Sequence, residues 1–339
     1  MIVNAIKKVI TGENLTPEAC YGAMDDIMGG RATAAQIASF ITALRMKGET
    51  IEEIAACAQV MRDRVVRVEV DDSNMVDTCG TGGDGARTFN ISTTAAFVVA
   101  GAGVTVAKHG NRSVSSQSGS ADLFQALGVN IDAVVPVVRR CLREVGIGFL
   151  FAPLLHGAMK HAIGPRREIG IRTVFNVLGP LTNPAGAKRQ VIGVYAPELT
   201  ESLCHVLQTL ESVRAYVVHG EDGLDEITLT GKTRVSELYR GRVQTFDFDP
   251  RDLGFSLCDA ADLKGGDVET NAAITLAILQ GEKGPRRDIT LLNAAAALVV
   301  AGRADSLEQA VELARQSIDS GGAMEKLEAL KQAARLPTA

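Results

Sequence analysis

The chain has 339 residues, 46% of them apolar and 22% charged, enough to bury one large core or a large and a small one. Its formal net charge of -5 argues against a sequence-independent grip on nucleic acid, and no apolar run reaches the roughly 18 residues of a membrane span. Six scattered cysteines (Cys20, Cys57, Cys79, Cys141, Cys204, Cys258) without Cys-x-x-Cys spacing, and an N-terminus lacking the apolar stretch of a signal peptide, predict reduced thiols in a cytoplasmic protein.

Residues 1 to about 66 read as helical. Thr16-Pro17 is an N-cap with proline in the first turn, and Thr33 with Gln36 and Thr50 with Glu53 read as capping boxes. Ile37, Phe40, Ile41 and Leu44 fall at i, i+3, i+4 and i+7 on one apolar stripe, and Gly48 is placed to stop that helix. A boundary falls near residue 70. Beyond it the pattern alternates. Short strands are predicted at 104–107, 146–152, 191–195 and 215–219, and helices at 121–127, 134–145 and from Pro197. Residues 227–247 carry short, antiparallel-looking β segments, and 268–335 return to helices, including the alanine-rich run Leu291 to Ala301. Arg166 to Pro184 begins helical, ends in prolines and glycine, and reads as a connector back to the helical part. The alternation predicts an α/β fold with a largely parallel sheet covered by helices on both faces.

The densest chemistry lies at 77–93, where Gly80, Gly82, Gly83 and Gly85 stand between an apolar lead-in (Met75, Val76) and a helix-like run from Ser92. Strand, glycine loop and helix start together make an anion site, because bare backbone N–H groups close on phosphate and the helix N-terminus adds partial positive charge. The P-loop ending Gly-Lys-Ser/Thr is missing. Gly80, Gly82 and Gly85 match G-x-G-x-x-G, yet no acid follows Asp84 until Asp122, where a dinucleotide fold wants one about 20 residues on. A tight surface turn also fits the glycines taken alone. Asp84, Thr88, Asn90, Ser92 and Thr93 add oxygen ligands suited to ribose, phosphate or magnesium.

Three further segments carry chemistry. Lys108 to Ser116 gathers two cations, a glycine, an asparagine and three serines after a predicted strand, which suits either a multi-phosphate clamp or a solvated basic loop. Ser120, at the next helix start, can cap it or touch a phosphate, and capping is the simpler expectation. Asp225 and Glu226, after the strand at 215–219, fit magnesium or an exposed acidic turn. Arg166, with Arg167 and His156 near it in sequence, can fork onto a carboxylate or sit on a helix surface. His109 and His156 can exchange protons or merely pack.

Taken in order, Gly80-Thr-Gly-Gly-Asp84, Asn90-Ile-Ser-Thr93, Lys108-His-Gly-Asn-Arg112 with Ser115-Ser116, the run Arg172 to Pro184, and Gly223-Leu-Asp-Glu226 resemble the anthranilate phosphoribosyltransferase family, as does Ala34 to Thr50. The similarity spans nearly the whole chain. It implies a small N-terminal helical domain (1–70, with 166–186 returning to it) and a larger α/β domain (71–165 and 187–339) with a mainly parallel sheet, of the nucleoside phosphorylase/phosphoribosyltransferase type. The implied reaction joins anthranilate to phosphoribosyl pyrophosphate (PRPP) in tryptophan biosynthesis. By resemblance Gly80, Gly83, Asp84, Thr88, Asn90, Ile91, Ser92, Thr93, Lys108, His109, Gly110, Asn111, Arg112, Ser113, Val114, Ser115 and Ser116 surround PRPP, and Ser120 is a further contact. Ser92 and Glu226 would hold one magnesium ion, and Asp225 and Glu226 a second. Asn111 and Arg166 would meet anthranilate, with Lys108 and Arg166 carrying catalysis, in a homodimer formed through the helical domain. One departure is Gly157, where the family's His-Pro-Ala-Met segment has proline. The rivals are a pyrimidine nucleoside phosphorylase-like enzyme, using free phosphate and a nucleoside, and a non-catalytic relative that binds nucleic acid. The acid pair and the Lys108-His-Gly-Asn-Arg112 run weigh against the first, and the acidic net charge with the retained magnesium ligands against the second.

Overall fold

A computed structural model describes residues 1–113 and 118–335. The helix-start signals of the first 66 residues sit where helices begin. After α1 (Ile2–Val9), Thr16 accepts a hydrogen bond from the Ala19 N–H at the head of α2 (Pro17–Met28). Reciprocal capping boxes open α3 (Ala34–Lys47) and α4 (Ile51–Arg64), each satisfying two N–H groups that the helix itself leaves orphaned. The stripe Ile37, Phe40, Ile41 and Leu44 is buried, and Gly48, at φ 89°, ends α3.

The rest of the chain builds one seven-stranded sheet: β1 (Val76–Gly80), β2 (Val106–Gly110), β3 (Ile147–Phe151), β4 (Arg189–Gly193), β5 (Arg214–Gly220), β6 (Thr233–Tyr239) and β7 (Arg242–Phe248), in the order β3-β2-β1-β4-β5-β6-β7. The first five are parallel, and β6 and β7 add antiparallel. Between strands run α5 (Ile91–Gly101), α6 (Ser120–Ala126), α7 (Val135–Arg140), α8 (Ala152–Leu155), α9 (Lys160–Ile169), α10 (Phe175–Leu178) and α11 (Leu199–Thr209); α12 (Val268–Leu279), α13 (Pro285–Ala301), α14 (Leu307–Asp319) and α15 (Gly322–Arg335) close the chain. Strand residues alternate between two cores, as the period of two demands. Tyr216 and Val218 face a core shared with α5 and α12 to α15. Ala215 and Val217 face one shared with α1 to α4 and α11. Val174, Phe175, Leu178 and Leu181 join that second core, and α9 packs on α3 and α2.

Strand order reverses between β1 and β4. The carboxyl ends there open a crevice, the usual ligand position in α/β sheets. Two strands run further than predicted. β1 continues through Gly80, and β2 runs Val106–Gly110 rather than 104–107, so Lys108 and His109 are buried strand residues, not part of a loop. Their polarity hid the strand; buried Asp77, on the neighbouring strand, makes it tolerable. The predicted helix 134–145 divides into α7 and a wider π turn, Cys141–Val145.

Candidate active site

Gly80 and Gly193 face each other in register at the ends of β1 and β4. The segment after β5 crosses directly over them. A Cβ on Gly80 would lie 2.4 Å from Asp225 Oδ2 and push that carboxylate aside, and one on Gly193 would lie 1.5 Å from the Asp225 carbonyl oxygen, so Gly193 requires glycine. Asp225 Oδ2 accepts from the Gly82 N–H at 2.8 Å, and Glu226 Oε1 from the Ser92 N–H at 3.0 Å in the first turn of α5. The glycine loop, the helix start and the acid pair therefore meet at one point.

This point is electrostatically costly. Burial, with the charges of Glu226 and Asp84, pushes the Asp225 carboxyl well above the usual carboxylate range. Burial pushes Glu226 up to about 7, against the opposing pull of Lys108 and hydrogen bonds from Ser92. Clustered carboxylates with raised proton affinity fit a divalent cation, whose charge would relieve them. Among the described residues no group of three or more His, Cys, Asp or Glu forms a cage able to hold a metal. Magnesium does not need one, since it takes one or two carboxylates and completes its shell with water and phosphate.

Beside the acids, Lys108 is buried in β2 and its ammonium donates to the Thr78 carbonyl. Asp77 lies beneath it, fully buried, accepting from the His109 N–H at 3.1 Å and from Asn183 Nδ2 at 2.8 Å. Asn90 does not cap α5. Its amide donates to the Ser118 carbonyl and accepts from Ser118 Oγ and Asn271 Nδ2, each at 3.1 Å. Ile91 and Thr93 turn their side chains into the interior, while Ser92 faces the acids, and Thr88 bridges to Lys264.

At the end of β2, a Cβ on Gly110 would meet Ser120 Oγ, and that hydroxyl also accepts from the Asn111 N–H at 3.2 Å. Ser120 therefore does not cap its helix. Gly119 holds the cap position, and Asp122 accepts from its N–H at 2.9 Å. Asp122 also accepts from the Ser113 N–H and pairs with Arg112 at 2.8 Å. Val114, Ser115 and Ser116 lie outside the described residues.

The other side of the crevice comes from the connector. Arg166 on α9 is half-buried, with its guanidinium 4.9 Å from the Phe175 ring centroid and, among the described residues, no carboxylate partner. Burial lowers its proton affinity. The rings of His109 and His156 lie 5.1 Å apart. Burial, then His156 and Lys108, hold His109 down to about 3, and burial holds His156 down to about 4, so both are neutral near pH 7. Their Nε2 atoms are buried and, among the described residues, without a partner. A Cβ at Gly157 would meet open space, so crowding does not explain the glycine there. Sequence reasoning missed Asp77, Asn183 and Asn271 as supports. A charged residue between Val76 and Thr78 at a strand start was the one available signal for them. It also missed Arg172, whose Nη2 donates to the Gly83 carbonyl at 2.5 Å.

Residues 72–324 match the glycosyl transferase family α/β domain, and residues 3–65 the helical bundle domain of the same family. An anthranilate phosphoribosyltransferase of Moorella thermoacetica is 58% identical over 330 residues, covering 97% of each chain. The chain belongs to the anthranilate phosphoribosyltransferase family. The anthranilate phosphoribosyltransferase of Thermus thermophilus superposes with a TM-score of 0.94 at 44% identity, over 98% of this chain and 99% of that one. The Saccharomyces cerevisiae anthranilate phosphoribosyltransferase, solved with PRPP and Mg, superposes with a TM-score of 0.89 at 28% identity, over 98% and 97%. The same yeast enzyme has been solved with 4-fluoroanthranilate, with a TM-score of 0.89 at 27% identity and the same coverage.

Proposed function

We propose that the crevice at the carboxyl ends of β1 and β4 binds PRPP and anthranilate and joins them. The reaction transfers the phosphoribosyl group of PRPP to the amine of anthranilate, giving N-(5-phosphoribosyl)anthranilate and pyrophosphate, a step of tryptophan biosynthesis. The observation that carries the proposal is the contact of Asp225 and Glu226 with the glycine loop and the first turn of α5. It supports PRPP lying along Gly80, Gly83, Asp84, Thr88, Asn90 to Thr93, Lys108 to Ser113 and Ser120. Two magnesium ions per subunit belong to this proposal, one at Ser92 and Glu226 and one at Asp225 and Glu226. When bound, magnesium neutralises the charge that builds on departing pyrophosphate.

The chain's own residues supply the rest. The Lys108 ammonium, already desolvated by its burial beside Asp77, faces the leaving group as a fixed positive charge. Arg166 holds the anthranilate carboxylate, with Asn111 as the second contact, so that the amine points at the ribose carbon. The aromatic amine is neutral near pH 7 and attacks without a strong base. The neutral imidazoles of His109 and His156 agree with late proton loss to a weak acceptor. Catalysis then rests on positioning and electrostatics, by analogy with other reactions passing through oxocarbenium character.

A homodimer through the helical part is supported by Val3, Ile10 and Met46, large apolar side chains exposed on or at the ends of the adjacent helices α1 and α3. A helical domain of residues 1–70 and 166–186, set against an α/β domain of 71–165 and 187–339, is supported by the core that α10 shares with α1 to α4. Six free thiols favour a cytoplasmic setting, and no helix among the described residues is long and apolar enough to cross a membrane. A coupled assay for pyrophosphate release tests the function. Anthranilate, PRPP and magnesium together should give turnover. Phosphorolysis of a pyrimidine nucleoside in place of that turnover would overturn the proposal in favour of the phosphorylase alternative.

A further inference from the structure

Arg172 lies on the connector between α9 and α10, distant in sequence from the glycine loop, yet its guanidinium reaches that loop. Nη2 donates to the Gly83 carbonyl at 2.5 Å, and a Cβ built on Gly83 would lie 3.1 Å from the same nitrogen. The guanidinium stacks on Tyr195, 4.0 Å from the ring centroid. Tyr195 holds the loop from its other end, because its N–H donates to Thr81 Oγ1 at 3.2 Å while the Thr81 N–H donates to the Gly193 carbonyl at 2.9 Å. One exposed cation thus joins the connector, the second residue after β4 and the middle of the glycine loop.

We propose that Arg172 is a positioning residue for PRPP: stacked on Tyr195, it fixes the peptide plane after Gly83 and so sets the shape of the phosphate-binding loop. This inference rests on the function proposed above. Gly82, Gly83 and Gly85 all have φ between 67° and 79°, a region that glycine enters and leaves freely, so the loop's sequence does not choose its own conformation. The C=O and N–H of one trans peptide point in opposite directions, so anchoring the Gly83 oxygen also directs the Asp84 N–H. A charge-assisted hydrogen bond from a planar guanidinium is strong enough to select one arrangement, and the tyrosine face preorganises the donor. Arg172 touches the phosphate-binding loop, so its effect belongs to PRPP rather than to anthranilate.

The test is steady-state kinetics at saturating magnesium for wild type, Arg172→Ala, Arg172→Lys, Tyr195→Leu and the double variant Arg172→Ala with Tyr195→Leu. Arg172→Ala should raise the PRPP KM about tenfold, while kcat and the anthranilate KM move by less than about threefold. Arg172→Lys, which keeps a charged donor, should recover part of the loss. Tyr195→Leu should raise the PRPP KM by itself and add little to Arg172→Ala, because both act through one contact. The thermal midpoint of Arg172→Ala should match wild type, since the side chain is exposed. A PRPP KM unchanged in Arg172→Ala, equal rises in both KM values, or full additivity in the double variant would overturn the inference while wild-type turnover leaves the proposed function standing. A wild-type chain without turnover would overturn both.

Discussion

On the β1–β4 side of the crevice, two half-buried carboxylates accept from backbone N–H groups, on a segment that crosses close over Gly193. On the α9–α10 side, a guanidinium with no carboxylate partner among the described residues lies over Phe175, and two neutral imidazoles, tilted at 42° to each other, bury Nε2 atoms that find no partner among those residues. The first side carries charge that the protein alone does not balance, so it suits a cation and the phosphates that come with it. The second side offers one positive charge among flat, weakly polar groups, which suits a planar aromatic acid. One crevice thus suits a highly charged substrate on one side and a singly charged aromatic one on the other.

Removing the charge of the first side should have the largest effect. Asp225→Asn combined with Glu226→Gln should lower magnesium-dependent turnover by about three orders of magnitude, since metal stabilisation of a leaving group is worth several kcal/mol. Turnover with an unchanged magnesium dependence would contradict the assignment. Gly193→Ala tests the crowding beneath the acids. Its Cβ would meet a backbone oxygen, which cannot move aside as a side-chain tip could, and urea unfolding should show a loss of about 3 kcal/mol. A variant as stable as wild type would show that the segment over β4 is loosely held.

The second side is harder to see in the sequence than the first, for physical reasons. Helix caps are local, so Thr16, Thr33 and Thr50 are readable in windows of four residues. The glycine loop is readable as an anion site for the same reason. Its closure is not, because Gly82 reaches Asp225 across 143 residues and Ser92 reaches Glu226 across 134. Lys108 and His109 read as loop residues because polar side chains break an apolar strand pattern, and their acceptance in β2 depends on Asp77 in the neighbouring strand. Ser120 carries the right side chain for a cap but sits one residue inside the helix, where its hydroxyl serves Asn111. Arg172 stands in a recognised run with no sign that its target is a glycine carbonyl 89 residues earlier.

The second side should respond more selectively. Arg166→Ala should raise the anthranilate KM about thirtyfold, the value of a charge-assisted pair, and the PRPP KM far less. Equal changes in both would refute the division of the crevice. The smallest effect is on pH dependence. His109 and His156 stay neutral in the fold, at about 3 and about 4, while in the unfolded chain both take protons below about 6.5. The unfolded state then binds more protons, so stability is complete above that value and falls as the pH drops toward the folded values. From pH 7 to pH 5.5 each imidazole should cost about 1.3 kcal/mol. Glu226, raised from 4.5 to about 7, works in the opposite sense over that interval, so the difference between wild type and His156→Asn carries the result. Equal acid sensitivity in the two chains, measured by urea midpoints, would contradict buried neutral imidazoles.

Calorimetric titration of PRPP into the protein, with and without magnesium at constant ionic strength, tests most directly whether the acid pair and the glycine loop form one cation-bridged pocket. Binding should tighten at least about tenfold when magnesium is present, and the Asp225→Asn, Glu226→Gln chain should lose that gain. PRPP affinity indifferent to magnesium in the wild-type chain would contradict the account.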